Sequence, residues 1–344
     1  MERKYIKSLL NQTLVLSQRC KLAGFTLIEL LITLIMASIV LSSLLSLVVQ
    51  LLQSDRQEAI RNETQRDMQM ALNYIRQDIR EAVYIYDGDC LRGRQDDPAT
   101  TQVNEFCPGV VNHIGTNPNN PSNSIPILAF WRLEPLPLEC RIITNQTPNL
   151  CGPFLLAGRT YSLVVYFLAR NQSDPLWQGQ ARIERYELAQ FNTQNNIFQT
   201  TQNYISPIDN RTSFRTWPQN NATGVSLQTA RPPNQDPTNK NTLVDFIDIG
   251  GGGLDNPCPP NDYIVSPNTT TLTANGFAGI RSFYACVRVA NAVDQQNQAI
   301  GLNQDAIVFL RGNAKNRRGY DGSSLATLQT QVLGRGVVDK QPAQ

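Results

Sequence analysis

The stretch between Gly24 and Gly88 contains no glycine, and the first proline of the 344-residue chain is Pro98. Glycine and proline are the residues that interrupt helices most strongly. Their absence from so long an interval is the strongest structural constraint in the sequence. It predicts one helix from about Phe25 to about Tyr86, about 90 Å long at ~1.5 Å per residue.

The first half of this predicted helix is apolar on every side. From Phe25 to Val49 the only charged residue is Glu29. The run is about 37 Å long as a helix, enough to cross a ~30 Å hydrocarbon core, and it exceeds the ~7–15-residue core of a secretory signal peptide. Because the basic residues precede it, the N-terminus is predicted to face the cytoplasm. Residues 25–52 are therefore predicted to span a membrane.

The second half, residues 53–88, is predicted to be amphipathic. Its apolar residues recur at spacings of three and four, which indicates a helix with one buried stripe. The predicted stripe is Ile60, Thr64, Met68, Ala71, Leu72, Ile75, Ile79, Ala82, Val83 and Tyr86. The charged residues assigned to the opposite face are Arg61, Glu63, Arg66, Asp67, Arg76, Asp78, Arg80 and Glu81.

The isolated charge of Glu29 needs a reason, because a carboxylate at the bilayer centre costs about 2.5–3.5 kcal/mol on insertion scales. One alternative is a stray interfacial acid on an ordinary signal anchor. The residues around it indicate another: a basic leader ends in Gly24, the aromatic Phe25 follows, and Glu29 comes four residues after that.

This arrangement resembles the class III signal of type IV prepilins and type II secretion pseudopilins. The resemblance implies that residues 1–24 are a leader, that a prepilin peptidase cuts between Gly24 and Phe25, and that the new terminus at Phe25 is N-methylated. A free α-amino group at Phe25 would be positively charged, with an ordinary pKa of ~7.7–8.0. Glu29 lies one helical turn away on the same face, so it can neutralise its own terminus or that of an adjacent subunit. Glu29 is accordingly predicted to register subunits during assembly.

The rest of the chain, residues 89–344, is predicted to be a β-rich head. The predicted strands are 127–133, 161–169, 181–188, 243–249, 280–289 and 305–312, with a hairpin joining the second and third. Long segments rich in Asn, Pro, Thr and Gln separate them, at 95–124, 190–240 and 250–275. The predicted fold class is α+β, with an antiparallel sheet on the second half of the long helix, and the pilin resemblance implies the same layout.

Within that family, the segment 68–88 and the strand 305–317 resemble the large minor pseudopilins of the J/W type. The length, the Asn/Pro-rich head and the cysteines also resemble the cyanobacterial pseudopilins of hormogonium polysaccharide secretion. The implied partners are other pilins or pseudopilins, the prepilin peptidase, an inner-membrane assembly platform, and a polysaccharide or protein export substrate. The implied location is the bacterial inner membrane, with a single pass and a periplasmic head, and a surface filament after assembly.

Six cysteines lie in the head, and an even number in a loop-rich region suggests disulfides and an oxidising compartment. Six cysteines allow 15 connectivities. Pairing along the chain order predicts Cys90–Cys107, Cys140–Cys151 and Cys258–Cys286.

Other candidate sites are weak. His113 is the only histidine in the sequence, and a single histidine cannot form a zinc site without cysteine or carboxylate ligands. The run Gly250–Gly253 lacks the lysine and the hydroxyl residue of a phosphate loop. A surface loop residue and a flexible turn are the predictions for these two. The acids that could bind calcium have no calcium-loop spacing; they are Asp87, Asp89, Asp96 and Asp97. The basic residues predicted to form a solvated loop, or to meet an acidic partner, are Arg311, Lys315, Arg317 and Arg318.

No metal, cofactor or enzymatic activity is predicted, because no nucleophile–base pair and no paired-carboxylate signature stands out. The net charge of +2 gives no indication of a nucleic-acid partner. Two functions remain open. The first is a minor pseudopilin or pilin subunit of a filament that supports export or surface functions, and the alternative is a membrane-anchored adhesin or glycan-binding protein that uses the prepilin processing route.

Overall fold

The computed structural model describes Gly24 and the residues 26–93, 107–114, 123–141, 151, 158–171, 176–194, 197–232, 240–250, 257–260, 263–288, 304–322 and 324–335. The chain divides into two compact units, Met1–Gln57 and Glu58–Gln344. The predicted boundaries of the leader, the membrane segment and the head stay predictions.

The first element is the long helix α1, Leu27–Arg80. From residue 60 onward one stripe of it is buried, and that stripe contains seven of the ten predicted residues, from Ile60 to Ile79. The other three belong to a strand, because the helix ends at Arg80 and β1 spans Ala82–Tyr86. The predicted helix end at Tyr86 is therefore wrong. A short run of β-branched and aromatic residues fits a strand as well as a helix turn, and here strand pairing decides.

The described head is built from antiparallel strands, as predicted. The helices and strands that follow β1 are α2 (Gly88–Arg92), β2 (Ser124–Pro135), α3 (Leu138–Arg141), β3 (Arg159–Arg170), β4 (Ala181–Ala189), β5 (Phe191–Gln194), β6 (Ile197–Thr200), β7 (Lys240–Ile247), β8 (Tyr263–Ser266), α4 (Thr269–Ala274), β9 (Phe283–Arg288), β10 (Asp305–Leu310) and β11 (Leu328–Leu333).

These strands form two main sheets rather than the single predicted one. The five-stranded sheet has the order β1-β2-β3-β4-β7, the four-stranded sheet has the order β11-β10-β9-β8, and β5 and β6 form a separate hairpin. Strands β3 and β4 pair in antiparallel register, as predicted for that hairpin. An isolated bridge between Ile247 and Gly312 connects the two sheets. The sequence pattern did not predict the four-stranded sheet as a separate layer, because β8 and β11 are short and about half of their residues are polar.

Two apolar cores hold the head together. The main core brings together the buried stripe of α1, one face of the five-stranded sheet and one face of the four-stranded sheet. The second core lies on the other face of the five-stranded sheet, where Trp131 and Trp217 are fully buried with ring centroids 5.2 Å apart. Burial of a large apolar side chain contributes about 1.5–3 kcal/mol, so the two sheets and the helix stabilise each other mainly through these contacts.

Three disulfides close loops of the head. They join Cys90 to Cys107, Cys140 to Cys151 and Cys258 to Cys286, which are the pairs expected from chain order. The 17, 11 and 28 residues that separate the partners are loops of the size for which a cross-link contributes about 3 kcal/mol.

Candidate assembly site

Of the N-terminal candidate residues, Glu29 lies at the start of α1 and Gly24 precedes it. Gly24 is exposed, and a Cβ added to it would meet no atom within 4 Å. Phe25 lies outside the described residues. Glu29 is in the first turn, where the amides of Glu29 and Leu30 donate to the Thr26 carbonyl at 3.0 and 3.1 Å. The first amides of a helix lack partners in the helix itself and favour a nearby negative charge, so this is a suitable place for a carboxylate.

The helix surface beyond Glu29 is apolar and unburied. The large apolar side chains from Leu27 to Leu52 are between 48% and 85% exposed. Two hydroxyls in this stretch are hydrogen-bonded within the helix, since Thr33 donates to the Leu30 carbonyl at 2.9 Å and Ser38 donates to the Ile35 carbonyl at 2.7 Å. Within the described residues, α1 is the one helix that is long and apolar enough to cross a membrane. Such a surface requires lipid or another apolar partner.

The comparison with protein families finds the same segment. Residues 19–45 match the family model for the prokaryotic N-terminal methylation motif. The match supports a type IV prepilin-like N-terminal segment. No curated protein and no solved structure matches the chain. The prepilin-type motif fits a pilin-like structural subunit that is anchored in a membrane by its apolar helix.

Beyond the prepilin-type segment, α1 is fixed to the head by a buried ionic cluster. Asp78 accepts hydrogen bonds from Arg132 at 2.8 Å, from Arg185 at 2.7 Å and from the Tyr166 hydroxyl at 2.6 Å. Its side chain is only 8% exposed. The assignment of Asp78 to the solvent face of the helix is therefore wrong, because two guanidinium groups on the sheet compensate its charge.

Two further carboxylates complete this cluster. Glu187 contacts Arg185 at 2.5 Å and Arg132 at 3.1 Å, and Glu134 contacts Arg132. Burial raises the pKa of Glu134, and the hydrogen bond and charge of Glu187 raise it further. Burial opposes ionisation of Glu187 as well, but the hydrogen bond with Glu134 and the guanidinium of Arg185 outweigh it and hold that pKa low. The two shifts have opposite signs because the two carboxylates hydrogen-bond to each other and share the Arg132 guanidinium.

A second ionic contact fixes the helix about three to four turns nearer to its apolar half. Arg317 contacts Glu63 at 2.9 Å and Asp67 at 2.7 Å, and its guanidinium lies 4.9 Å from the centre of the Phe246 ring. The side chain is 13% exposed. The prediction of a solvated basic loop is wrong for Arg317, because helix carboxylates and an aromatic ring cover it.

The other three residues of the predicted basic loop, Arg311, Lys315 and Arg318, differ from one another in their exposure and contacts. Arg311 contacts the buried Asp248 at 2.7 Å, whereas Arg318 is 64% exposed and Lys315 is 46% exposed. Sequence reasoning missed the roles of Arg132 and Arg185 in the ionic cluster. The available signal was an arginine that shares a strand face with an apolar residue, since Arg132 alternates with Phe130 in β2 and Arg185 alternates with Ile183 in β4.

The weaker candidates have structural roles. Asp87 caps α2 by accepting from the amides of Asp89 and Cys90, and Asn268 donates to Asp89 at 2.9 Å. Asp96, Asp97 and residues 251–253 of the glycine run lie outside the described residues. Among the residues that the structure describes, no group of three or more potential metal ligands occurs. His113 is half-buried and meets the Trp217 ring edge-on, with centroids 6.4 Å apart.

Proposed function

We propose that this chain is a minor pilin or pseudopilin subunit that is cut between Gly24 and Phe25, N-methylated at Phe25, and assembled through its N-terminal helix into a filament. The observation that carries the proposal is the methylation motif at residues 19–45, which coincides with the start of an unburied apolar helix. A large head of two sheets supports a minor rather than a major subunit of such a filament.

In this proposal residues 1–24 are the leader, residues 25–52 lie in the inner membrane, and the head, residues 89–344, is periplasmic. The three disulfides support the last point, because they form in oxidising compartments. The partners are the prepilin peptidase, other pilin-like subunits, and an inner-membrane assembly platform that exports a protein or a polysaccharide. The resemblance of residues 68–88 and 305–317 to the large minor pseudopilins of the J/W type supports a subunit of that class.

Glu29 acts in assembly by meeting the positive terminus of an adjacent subunit. An ion pair in low dielectric is strong once formed, and the loss of one partner leaves an uncompensated charge. The ionic contacts of Asp78 and Arg317 keep the second half of the helix fixed to the head, so that force applied to the helix is transmitted to the head.

Intact-mass measurement tests the processing step. The chain produced together with a prepilin peptidase should lose residues 1–24 and gain one methyl group at Phe25. Gly24→Val is the matched control, because a Cβ there meets no atom within 4 Å and the change alters only the residue at the junction. That variant should stay full-length. A mature terminus at Met1 or after Ser38 in the wild-type chain contradicts the proposal.

A further inference from the structure

The charges of α1 between residues 59 and 80 are separated by sign, and the acids of this stretch all pair with the head. The acids are Glu63, Asp67 and Asp78. Arg317 contacts the first two at 2.9 and 2.7 Å, and Arg132 and Arg185 contact the third at 2.8 and 2.7 Å. The negative charges of this stretch are therefore compensated within the chain.

The basic residues of the same stretch are all exposed arginines. They are Arg61, Arg66, Arg76 and Arg80. Within the described residues, none of these four side chains makes an ion pair or a hydrogen bond. At ~100° per residue, the last three lie within about 80° of one another around the helix axis, over about 21 Å of its length. We call this side of the helix the arginine face.

Two large apolar side chains lie beside these arginines. Met70 is 57% exposed and Tyr74 is 44% exposed, and Met70 lies one turn after Arg66. The other exposed residues between Arg66 and Arg76 carry amides; they are Gln69 and Asn73. Arginine, tyrosine and methionine are enriched at protein interfaces. An anionic glycan would be bound by charge and would leave Met70 unused, so the composition of this face favours a protein partner.

A second copy of this chain matches the arginine face poorly. The same face of a copy is also basic, and like charges placed opposite each other disfavour association. The nearest exposed acids on the chain are Asp55 and Glu58 before the face and Glu81 after it. A parallel copy shifted along the helix brings at most two of these carboxylates onto four exposed arginines. Balanced charges therefore require a partner with more acids on its helix.

From these observations we infer that the arginine face binds a different pilin-like subunit, through a helix that presents carboxylates to Arg66, Arg76 and Arg80 and an apolar side chain to Met70. Hydrogen bonds between guanidinium and carboxylate groups are among the strongest in proteins. The face selects its partner both by this attraction and by its repulsion of a second copy. The inference rests on the proposed function, because it requires that the chain joins other pilin-like subunits, and it adds the chemistry of the subunit beside it.

Photo-crosslinking in the cell that makes this chain tests the inference. In the full-length chain, p-benzoyl-phenylalanine replaces Asn73, which is exposed in the middle of the arginine face. The expected product contains one copy of this chain and one different pilin-like protein, joined at a helical peptide of the partner that is rich in Asp and Glu. A product of two copies of this chain, a product with another class of molecule, or no product overturns the inference.

Charge variants locate the contact. Arg66→Glu/Arg80→Glu should reduce the crosslink yield by about tenfold or more, because carboxylates would then face carboxylates. Arg66→Lys/Arg80→Lys is the matched control and should keep most of the yield, because it keeps both positive charges. Lysine in place of two carboxylates in the crosslinked peptide of the partner should restore the yield of the glutamate variant. Equal yields from the glutamate and lysine variants, with unchanged melting temperatures, overturn the inference.

The state of the N-terminus separates this test from that of the proposed function. A chain with the crosslinker at position 73 that begins at Phe25 and co-purifies with pilin-like subunits, but gives none of the expected product, overturns the inference alone. A chain that is neither cut at Gly24 nor assembled contradicts the proposed function, and the inference fails with it.

Discussion

The carboxylate of Asp78 holds two guanidinium groups beneath the helix. Arg132 and Arg185 come from different strands, so this one side chain connects α1 with both β2 and β4. Without this carboxylate the two arginines would keep their contacts with Glu187 on the sheet, but the helix would lose its ionic contact with both strands. The same geometry explains why periodicity alone misplaced Asp78, since a hydropathy pattern records polarity and not the presence of a partner.

Asp78→Asn should lower the free energy of unfolding of the head by about 1.5–3 kcal/mol, because it weakens the charge-assisted hydrogen bonds from Arg132 and Arg185 to the helix. Guanidinium unfolding followed by the fluorescence of the buried Trp131 and Trp217 measures it. Glu58→Gln, at an exposed position of the same helix, should change stability little. Equal effects of the two variants would show that the cluster does not fix the helix.

His113 gives the second core a pH dependence. Burial lowers the pKa of its imidazole, and the charge of Arg231 lowers it further, against a hydrogen bond with Gln228. A lowered folded-state pKa means that stability is complete above the unfolded value of ~6.5 and is lost as the pH falls below it. His113→Gln should therefore lose less stability than the wild type between pH 7.5 and pH 5. Thermal melts at both pH values measure the difference, and identical losses would contradict the assignment.

At the scale of the elements, the segment around Arg317 fixes the helix from the side of the four-stranded sheet. Arg317 satisfies two helix carboxylates and is largely covered, whereas its neighbour Arg318 lies 3.4 Å from Glu63 and is 64% exposed. Exposed ion pairs contribute at most about 1 kcal/mol, and well-buried charge-assisted hydrogen bonds contribute more.

Arg317→Met should therefore destabilise the head by about 2–3 kcal/mol, from its charge-assisted hydrogen bonds to Glu63 and Asp67. Arg318→Met should cost less than about 1 kcal/mol. The same unfolding assay compares the two. A larger effect at Arg318 than at Arg317 would contradict the contact that the structure shows.

The disulfide between Cys258 and Cys286 closes the longest of the three loops. The double variant Cys258→Ser/Cys286→Ser should lower the free energy of unfolding by about 3–4 kcal/mol, because it releases the unfolded chain from that constraint. Reduction of the wild-type protein should have a larger effect, since it opens all three loops. Non-reducing peptide mapping checks the pairs, and free thiols in the untreated protein would contradict them.

At the scale of the whole molecule, the sequence predicted what depends on local pattern. The long helix followed from the absence of glycine and proline after Gly24, and the buried stripe from Ile60 to Ile79 followed from spacing. The six predicted strands all occur as strands in the structure. The helix end, the separate four-stranded sheet and the partners of Asp78 and Arg317 did not follow, because they depend on contacts between residues far apart in the chain.

The prepilin-type motif and the apolar helix are together the basis of the proposed assembly through Glu29. Glu29→Ala should leave the cut at Gly24 intact, because the peptidase is expected to act on the Gly24–Phe25 junction. It should also leave insertion intact, since removing a charge makes the helix more apolar. The loss should be confined to assembly, where the positive terminus of an adjacent subunit is left without its partner. Glu29→Gln, which keeps the shape, should show most of the same defect.

The decisive experiment is co-purification of the Glu29→Ala subunit with the other pilin-like subunits of its own cell. Mass spectrometry of the same sample identifies its N-terminal residue. The expected result is a subunit that begins at methylated Phe25, stays in the inner membrane and no longer co-purifies with the filament. A Glu29→Ala subunit that is processed and assembles as well as the wild type would contradict the claim, and α1 would then be an ordinary membrane anchor.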